Sequence, residues 1–304
     1  MSSNNRLVES SLELSWSLWT ELGVPGVIRR HSDFAMDVEP LLIFTSRIAD
    51  AEPRLRDESL AWVARNHRFV SRARLRGLLR FEPQEAQADF GPYAASISQI
   101  APGVWPGSTE PVTPPIQFRS RRRGSFEEPS LLRLRLRALL GVGTRSELAH
   151  AFVAQPETAR SAQDLVRLSG FTKANVNQEL EAFVLAGLLS RVGTGNRWDY
   201  RLVEPARLLN FAGRRPRFFV DWAALLRVVG ALLVLHRQRG ETDDVVRTVD
   251  IAAFLTRRGE DLDRVGFPRR PPDVGQAELA EWFDSAAAEF VGALATAETP
   301  VGLS

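Results

Sequence analysis

SAQDLVRLSGFTKANVNQELEAFVLAGLLSRVGTGNRWDYRL, residues 161–202, decides how this chain is read. Ser161 stands three residues before Asp164, an arrangement in which a short oxygen-bearing side chain starts a helix by accepting an orphan backbone amide. Gly170 then supplies a turn. Thr172 caps a second helix, expected over residues 173–186 and closed by Gly187. Within it Val176, Leu180, Phe183 and Val184 fall at i, i+4, i+7 and i+8, so they share one face and bury it.

The other face is unusual for this protein. Lys173 is the only lysine among 39 basic residues. It stands with Ala174, Asn175, Asn177, Gln178 and Glu181 on the side left to solvent. Asn and Gln amides match the N6 and N7 positions of adenine in the major groove. A cation near a helix start sits where backbone amides already favour phosphate. Bulky arginines are missing from positions where a helix would approach base edges.

Beyond the helix, LLSRVGTGNRWDYRLV alternates and turns at Gly193-Thr194-Gly195-Asn196, a hairpin signal. Arg191, Arg197 and Arg201 flank the turn. Helix, Gly turn, capped helix and basic hairpin form the layout in which a helix enters the major groove and a wing reaches the backbone or minor groove.

Residues 130–203, about a quarter of the chain, resemble the winged helix-turn-helix domains of MarR-, ArsR- and GntR-like bacterial regulators. The resemblance rests on the Ser-started short helix, Gly170, the Thr172-capped helix, the run from Leu180 to Ala186-Gly187-Leu188, and the Gly-tipped hairpin ending in Tyr200-x-Leu202. It implies a DNA-binding surface made of Thr172, Lys173, Ala174, Asn175, Asn177, Gln178, Arg191, Thr194, Asn196 and Arg197. It also implies a homodimer on double-stranded DNA. The cysteines through which some ArsR-like proteins sense metals are absent here, so that property does not carry over. The same fold also serves as a protein-binding module, which is the competing reading.

Working outward, the expected fold class is mainly α: a winged helix domain with a small β-hairpin, flanked by helical regions at both ends. Residues 1–100 read as a helical domain, with Leu12, Trp16 and Trp19 at helical spacing and helix-opening or helix-ending prolines at 40 and 53. Residues 101–129 are rich in Pro, Gly, Ser and Thr and read as an extended linker. Within it Arg121, Arg122 and Arg123 are candidate phosphate contacts. Residues 130–205 form the candidate DNA-binding domain. It begins with the helix LLRLRLRALL, followed by a capping box expected at Thr144 and Glu147. Residues 206–304 are helical again. DWAALLRVVGALLVLHRQ reads as a buried helix, and the stripe Leu279, Trp282, Phe283, Ala286, Phe290, Leu294 reads as core or a dimer seam.

Composition sets the bounds. With 304 residues, 44% hydrophobic and 25% charged, the chain has the make-up of a soluble globular protein long enough to bury a sizeable core. It contains no cysteine, which excludes disulfides, thiolate metal sites and thiol nucleophiles. The N-terminus lacks a signal-peptide pattern and the most apolar run is too short for a membrane span, so a cytoplasmic location without membrane association is expected. Net charge is only +2, yet seven arginines lie between 119 and 137 and seven between 204 and 239. The stretch from 240 onward carries 13 acidic residues against six arginines. A basic middle implies a polyanionic partner there.

Chemical motifs are sparse. His31, His67, His150 and His236 are too dispersed for a metal site, and none is expected. Gly141-Val-Gly143 follows a helix rather than a strand and reads as a helix stop, not a dinucleotide turn. No Walker A or GxSxG motif occurs. No cofactor and no enzymatic activity are expected. The leading reading is a sequence-specific transcriptional regulator, a dimeric repressor. The alternative is an antitoxin or defence-system partner, since winged helix proteins with helical flanks resemble antitoxins of nucleotidyltransferase toxins.

Overall fold

The computed structural model describes residues 3–109, 125–193, 198–237 and 243–298. In chain order these form α1 (Ser3–Glu21), α2 (Val38–Ile48), α3 (Pro53–Asn66), α4 (Arg72–Leu79), α5 (Gln84–Ile100), α6 (Leu132–Leu140) and α7 (Thr144–Ala154). Next come β1 (Arg160–Ser161), α8 (Ala162–Ser169), α9 (Lys173–Leu185), β2 (Leu189–Val192) and β3 (Asp199–Leu202). The chain continues through α10 (Pro205–Ala212), α11 (Trp222–Arg237), α12 (Asp244–Arg257), α13 (Gly259–Arg264) and α14 (Leu279–Ala295). The fold is mainly helical, with one small antiparallel sheet.

The chain divides into two compact units, each assembled from separate stretches. One comprises Met1–His31, Pro40–Arg56 and Val220–Ser304; the other comprises Ser32–Glu39 and Asp57–Phe219. In the first, α1 lies along α14, and α11 packs on both. Five residues of the stripe on α14, Leu279, Phe283, Ala286, Phe290 and Leu294, are buried, whereas Trp282 is half-buried; Phe267 stacks on Phe290 and Phe283 at centroid distances of 5.3 and 6.0 Å. α11 is buried along most of its length, as its near-continuous apolar run dictates. Trp19 donates to Thr45 at 2.8 Å. His31 bonds Ser17 and the Leu294 carbonyl, so both ring nitrogens are occupied. Burial, outweighing the carbonyl contact and aided by Arg30, lowers its pKa to about 4.

In the second unit, α7 is the central helix. Residues 146–153 are buried all round it, because α6, α8, α9 and α10 each pack against part of its surface. The core there joins Leu132 and Leu136 of α6, Leu148 and Phe152 of α7, Leu165 of α8, and Val176, Leu180 and Phe183 of α9. The sheet has the order β1-β3-β2, with Leu189 opposite Leu202 and Arg160 opposite Tyr200. The two-residue β1 was not legible beforehand, because a strand that short carries no period. Part of the expected linker is packed: Ala101 and Trp105 are buried, and Thr109 bonds the Gly91 carbonyl.

The capping box expected at Thr144 and Glu147 does not form. Gly143 occupies the cap position with no side-chain cap bond, and Thr144 is the first helical residue. Glu147 turns inward instead, where guanidinium groups offer a charged partner that a lone backbone amide cannot match.

Candidate nucleic-acid interface

α8 and α9 are set by local chemistry. The Ser161 hydroxyl accepts from the Asp164 amide at 3.1 Å. Gly170 adopts a left-handed conformation (φ 73°), closing α8 in the way glycine permits at a helix end. The Thr172 hydroxyl accepts from the Asn175 amide at 3.4 Å and opens α9. The far end of α9 closes at Gly187, whose backbone is also left-handed.

Burial divides α9 as its periodicity requires. Val176, Leu180 and Phe183 are buried, whereas Thr172, Lys173, Ala174, Asn175, Asn177, Gln178 and Glu181 are exposed. Val184 is only half-buried. Beside this face, Arg191 of β2 pairs with Glu181 of α9, and Arg145 of α7 pairs with Glu179 at 2.8 Å. The Arg191 and Arg145 side chains are 37% and 51% exposed, so solvent weakens both pairs. On β3, Tyr200 and Leu202 point into the core while Asp199 and Arg201 face solvent. Thr194, Asn196 and Arg197, expected at a hairpin turn, and Arg121, Arg122 and Arg123 lie outside the described residues.

A polar groove separates the start of α8 from the hairpin. It is lined by Ser161, Gln163, Asp164, Arg167 and Asp199. Asp164 is held by Ser161 and by Arg167 at 2.6 Å. The two carboxylates make this flank less favourable to phosphate than the α9 start, where Lys173 is the local charge.

What anchors the end of α8 and the turn before α9 was not visible in the sequence. Three carboxylates (Asp37, Glu39, Glu147) and three guanidiniums (Arg74, Arg133, Arg137) form a buried, charge-balanced cluster. Arg74 on α4 grips Asp37 at 2.6 and 2.7 Å and Glu39 at 2.7 Å. Its Nε donates to the Ser169 carbonyl at 2.9 Å, at the end of α8. Arg137 on α6 bridges Glu39 and Glu147, and donates to the Phe69 carbonyl. Arg133 pairs with Glu147 and Asp37. Close packing adds to this: a Cβ on Gly77 of α4 would stand 2.1 Å from the Gly170 carbonyl oxygen, so α4 touches the turn through bare backbone.

The electrostatics follow from this packing. Burial works to raise the Asp37 and Glu147 carboxyls, but Arg133, with Arg74 at Asp37 and Arg137 at Glu147, outweighs it and holds both below the ordinary carboxylate range. Nearby His150 is pushed down to about 3, chiefly by burial and then by Arg133, so it stays neutral. The basic stretch 119–137 is therefore less available to a polyanion than its arginine count implies, since Arg133 and Arg137 are spent inside the protein.

No protein-family model, curated protein or solved structure matches the chain. Among the described residues, no group of three or more His, Asp or Glu side chains converges as a metal site, and no helix is long and apolar enough to cross a membrane.

Proposed function

We propose that the protein is a cytoplasmic, sequence-specific double-stranded DNA-binding regulator, a dimeric repressor, whose second unit contains a winged helix domain. The observation that carries this reading is the exposed face of α9, where Lys173, Asn175, Asn177 and Gln178 stand together in solvent on a helix whose other face is locked into the core. Support comes from the order helix, short strand, helix, turn, helix, two strands, with β3 between β1 and β2. In that arrangement α9 enters the major groove. Asn175, Asn177 and Gln178 read base edges, while Lys173 and the amides at the α9 start meet phosphate. Arg191 exchanges Glu181 for the backbone.

The test is binding of the full chain to fragments of its own upstream DNA across a salt series, with random duplex as competitor. The reading expects a selective complex whose affinity falls linearly with salt on a logarithmic plot. Equal binding to every duplex, or none, would transfer weight to the second reading. In that reading the α9 face contacts a protein and the chain acts as an antitoxin or defence-system partner. Glu179 and Glu181 beside that face favour it modestly, since carboxylates repel phosphate but suit a mixed-charge protein surface.

A further inference from the structure

The helix that meets the turn before α9 carries its own row of cations. In α4, Arg74, Leu75, Leu78 and Leu79 are buried, while Arg72 and Arg76 face solvent. Arg80 follows in a right-handed helical conformation and is exposed as well. The three arginines therefore stand at i, i+4 and i+8 on one face. α4 contains no acidic residue, and among the described residues none of the three arginines has an ion pair. Arg72 donates to the Pro102 carbonyl at 3.2 Å, a neutral acceptor that leaves its charge uncompensated. Like charges at this spacing repel and weaken a helix. The row is thus kept at a local cost, with no anion of its own. Its place is fixed by the contact between α4 and the turn. Gly77 approaches the Gly170 carbonyl through bare backbone, and a Cβ on Gly170 would in turn lie 3.4 Å from Arg74 Cγ and Leu78 Cδ2. Arg80 is three residues beyond Gly77, hence its neighbour on the helix surface, and Arg76 and Arg72 continue the row from there. On the other side of the turn, Lys173 stands in the first turn of α9.

We propose that Arg72, Arg76 and Arg80 form a sequence-independent contact with the phosphate backbone of duplex DNA, beside the segment whose bases α9 reads. The inference rests on the DNA-binding reading of α9 for its placement. Length fits this partner. From Arg72 to Arg80 the helix rises about 12 Å, at roughly 1.5 Å per residue. That is the axial span of about three or four phosphates on one strand, at roughly 3.4 Å each. Chemistry fits it too, because guanidinium groups bond phosphate oxygens in a planar fork and stay charged at neutral pH. Backbone contacts of this kind add affinity and fix orientation without reading sequence. A row uninterrupted by carboxylates, next to the start of α9, suits a uniformly charged strand better than the mixed surface of an acidic protein.

Binding of the full chain to a random duplex and to fragments of its own upstream DNA, across a salt series, tests the surface. Arg76→Gln combined with Arg80→Gln removes two of the phosphate contacts. The expected result is a log–log salt slope shallower by about two on both duplexes, at roughly 0.9 per contact. The ratio of specific to random affinity should stay unchanged. Arg215→Gln combined with Arg217→Gln removes the same charge from exposed positions elsewhere in the unit and should leave the slope nearly as it is. The melting temperature of the α4 variant should hold or rise, because like-charge repulsion is relieved. A fall would make the row structural and overturn the proposal. So would an unchanged slope, or an equal loss in the Arg215 and Arg217 variant. Poly-L-glutamate that competes as well as random duplex, charge for charge, would assign the row to an acidic protein and overturn it too. A selective complex whose slope is unchanged in the α4 variant would leave the α9 reading standing while this inference fails. Non-selective binding whose slope falls in that variant would do the reverse, and no binding to any duplex overturns both.

Discussion

α6 and α9 carry their polar residues to opposite ends. In LRLRLRALL the arginines at 133 and 137 are buried, and each meets carboxylates from other parts of the chain. In KANVNQELEAFVL the amides and the lysine face water, and the helix supplies only its apolar side to the core. Arginine density alone suggests that α6 is the polyanion-binding element. The structure shows why density misleads: a buried guanidinium is already neutralised, whereas a solvent-facing amide keeps its hydrogen-bonding capacity for a partner.

Breaking the buried side of this comparison should have the largest effect. Arg137→Met leaves Glu39 and Glu147 under-compensated and should cost about 3–5 kcal/mol of stability, the range for a buried pair losing one partner. Urea unfolding would read it, and a loss below about 1 kcal/mol would mean the cluster does not anchor α6 and α7.

Acid should destabilise the buried groups of both units. The folded pKa values of His150 and His31 lie near 3 and 4, below the ordinary 6.5. Below about pH 6.5 the unfolded chain therefore takes up protons that the folded chain refuses, and stability falls as pH drops. By pH 4.5 this amounts to roughly 2–3 kcal/mol per histidine, at about 1.4 kcal/mol per unit. The depressed Asp37 and Glu147 carboxyls act in the same direction at still lower pH: the stability they confer is present above their unfolded values and lost as pH falls through the folded ones. Melting temperatures from pH 7.5 to 4.5 would check this, and a flat profile would contradict the burial of both histidines.

On the exposed side, Asn177→Ala should leave stability nearly unchanged, relax sequence preference and weaken specific DNA binding by about 1–3 kcal/mol. Competition between specific and random duplex would show it; unaltered selectivity would turn α9 away from the bases. The smallest stability effect belongs to Arg191→Ala. Its pair with Glu181 is exposed, so unfolding should shift by about 1 kcal/mol or less, while binding to all duplexes weakens alike. A loss confined to one sequence would assign Arg191 to base reading instead of the backbone.

Most of the local structure between 161 and 202 was legible in the sequence. Ser161, Gly170, Thr172 and Gly187 each act through bonds to near neighbours, and the period of Val176, Leu180 and Phe183 names the buried face without reference to the rest of the chain. The same local logic failed at Thr144 and Glu147. There, spacing suits a capping box, but Glu147 has stronger partners in Arg133 and Arg137 one helix away.

The sequence by itself determined the helical class, the two capped helices, the hairpin strands and which residues of α9 face outward, because these depend on contacts within about four residues. Tertiary structure alone decided that Asp37, Glu39 and Arg74 join Glu147 and Arg137 in one cluster, that the compact units are built from non-contiguous stretches, and that α10 closes an apolar cavity over Phe183. Charge pairing and cavity walls depend on which distant residues arrive together, and no period or motif in a single chain records that arrival.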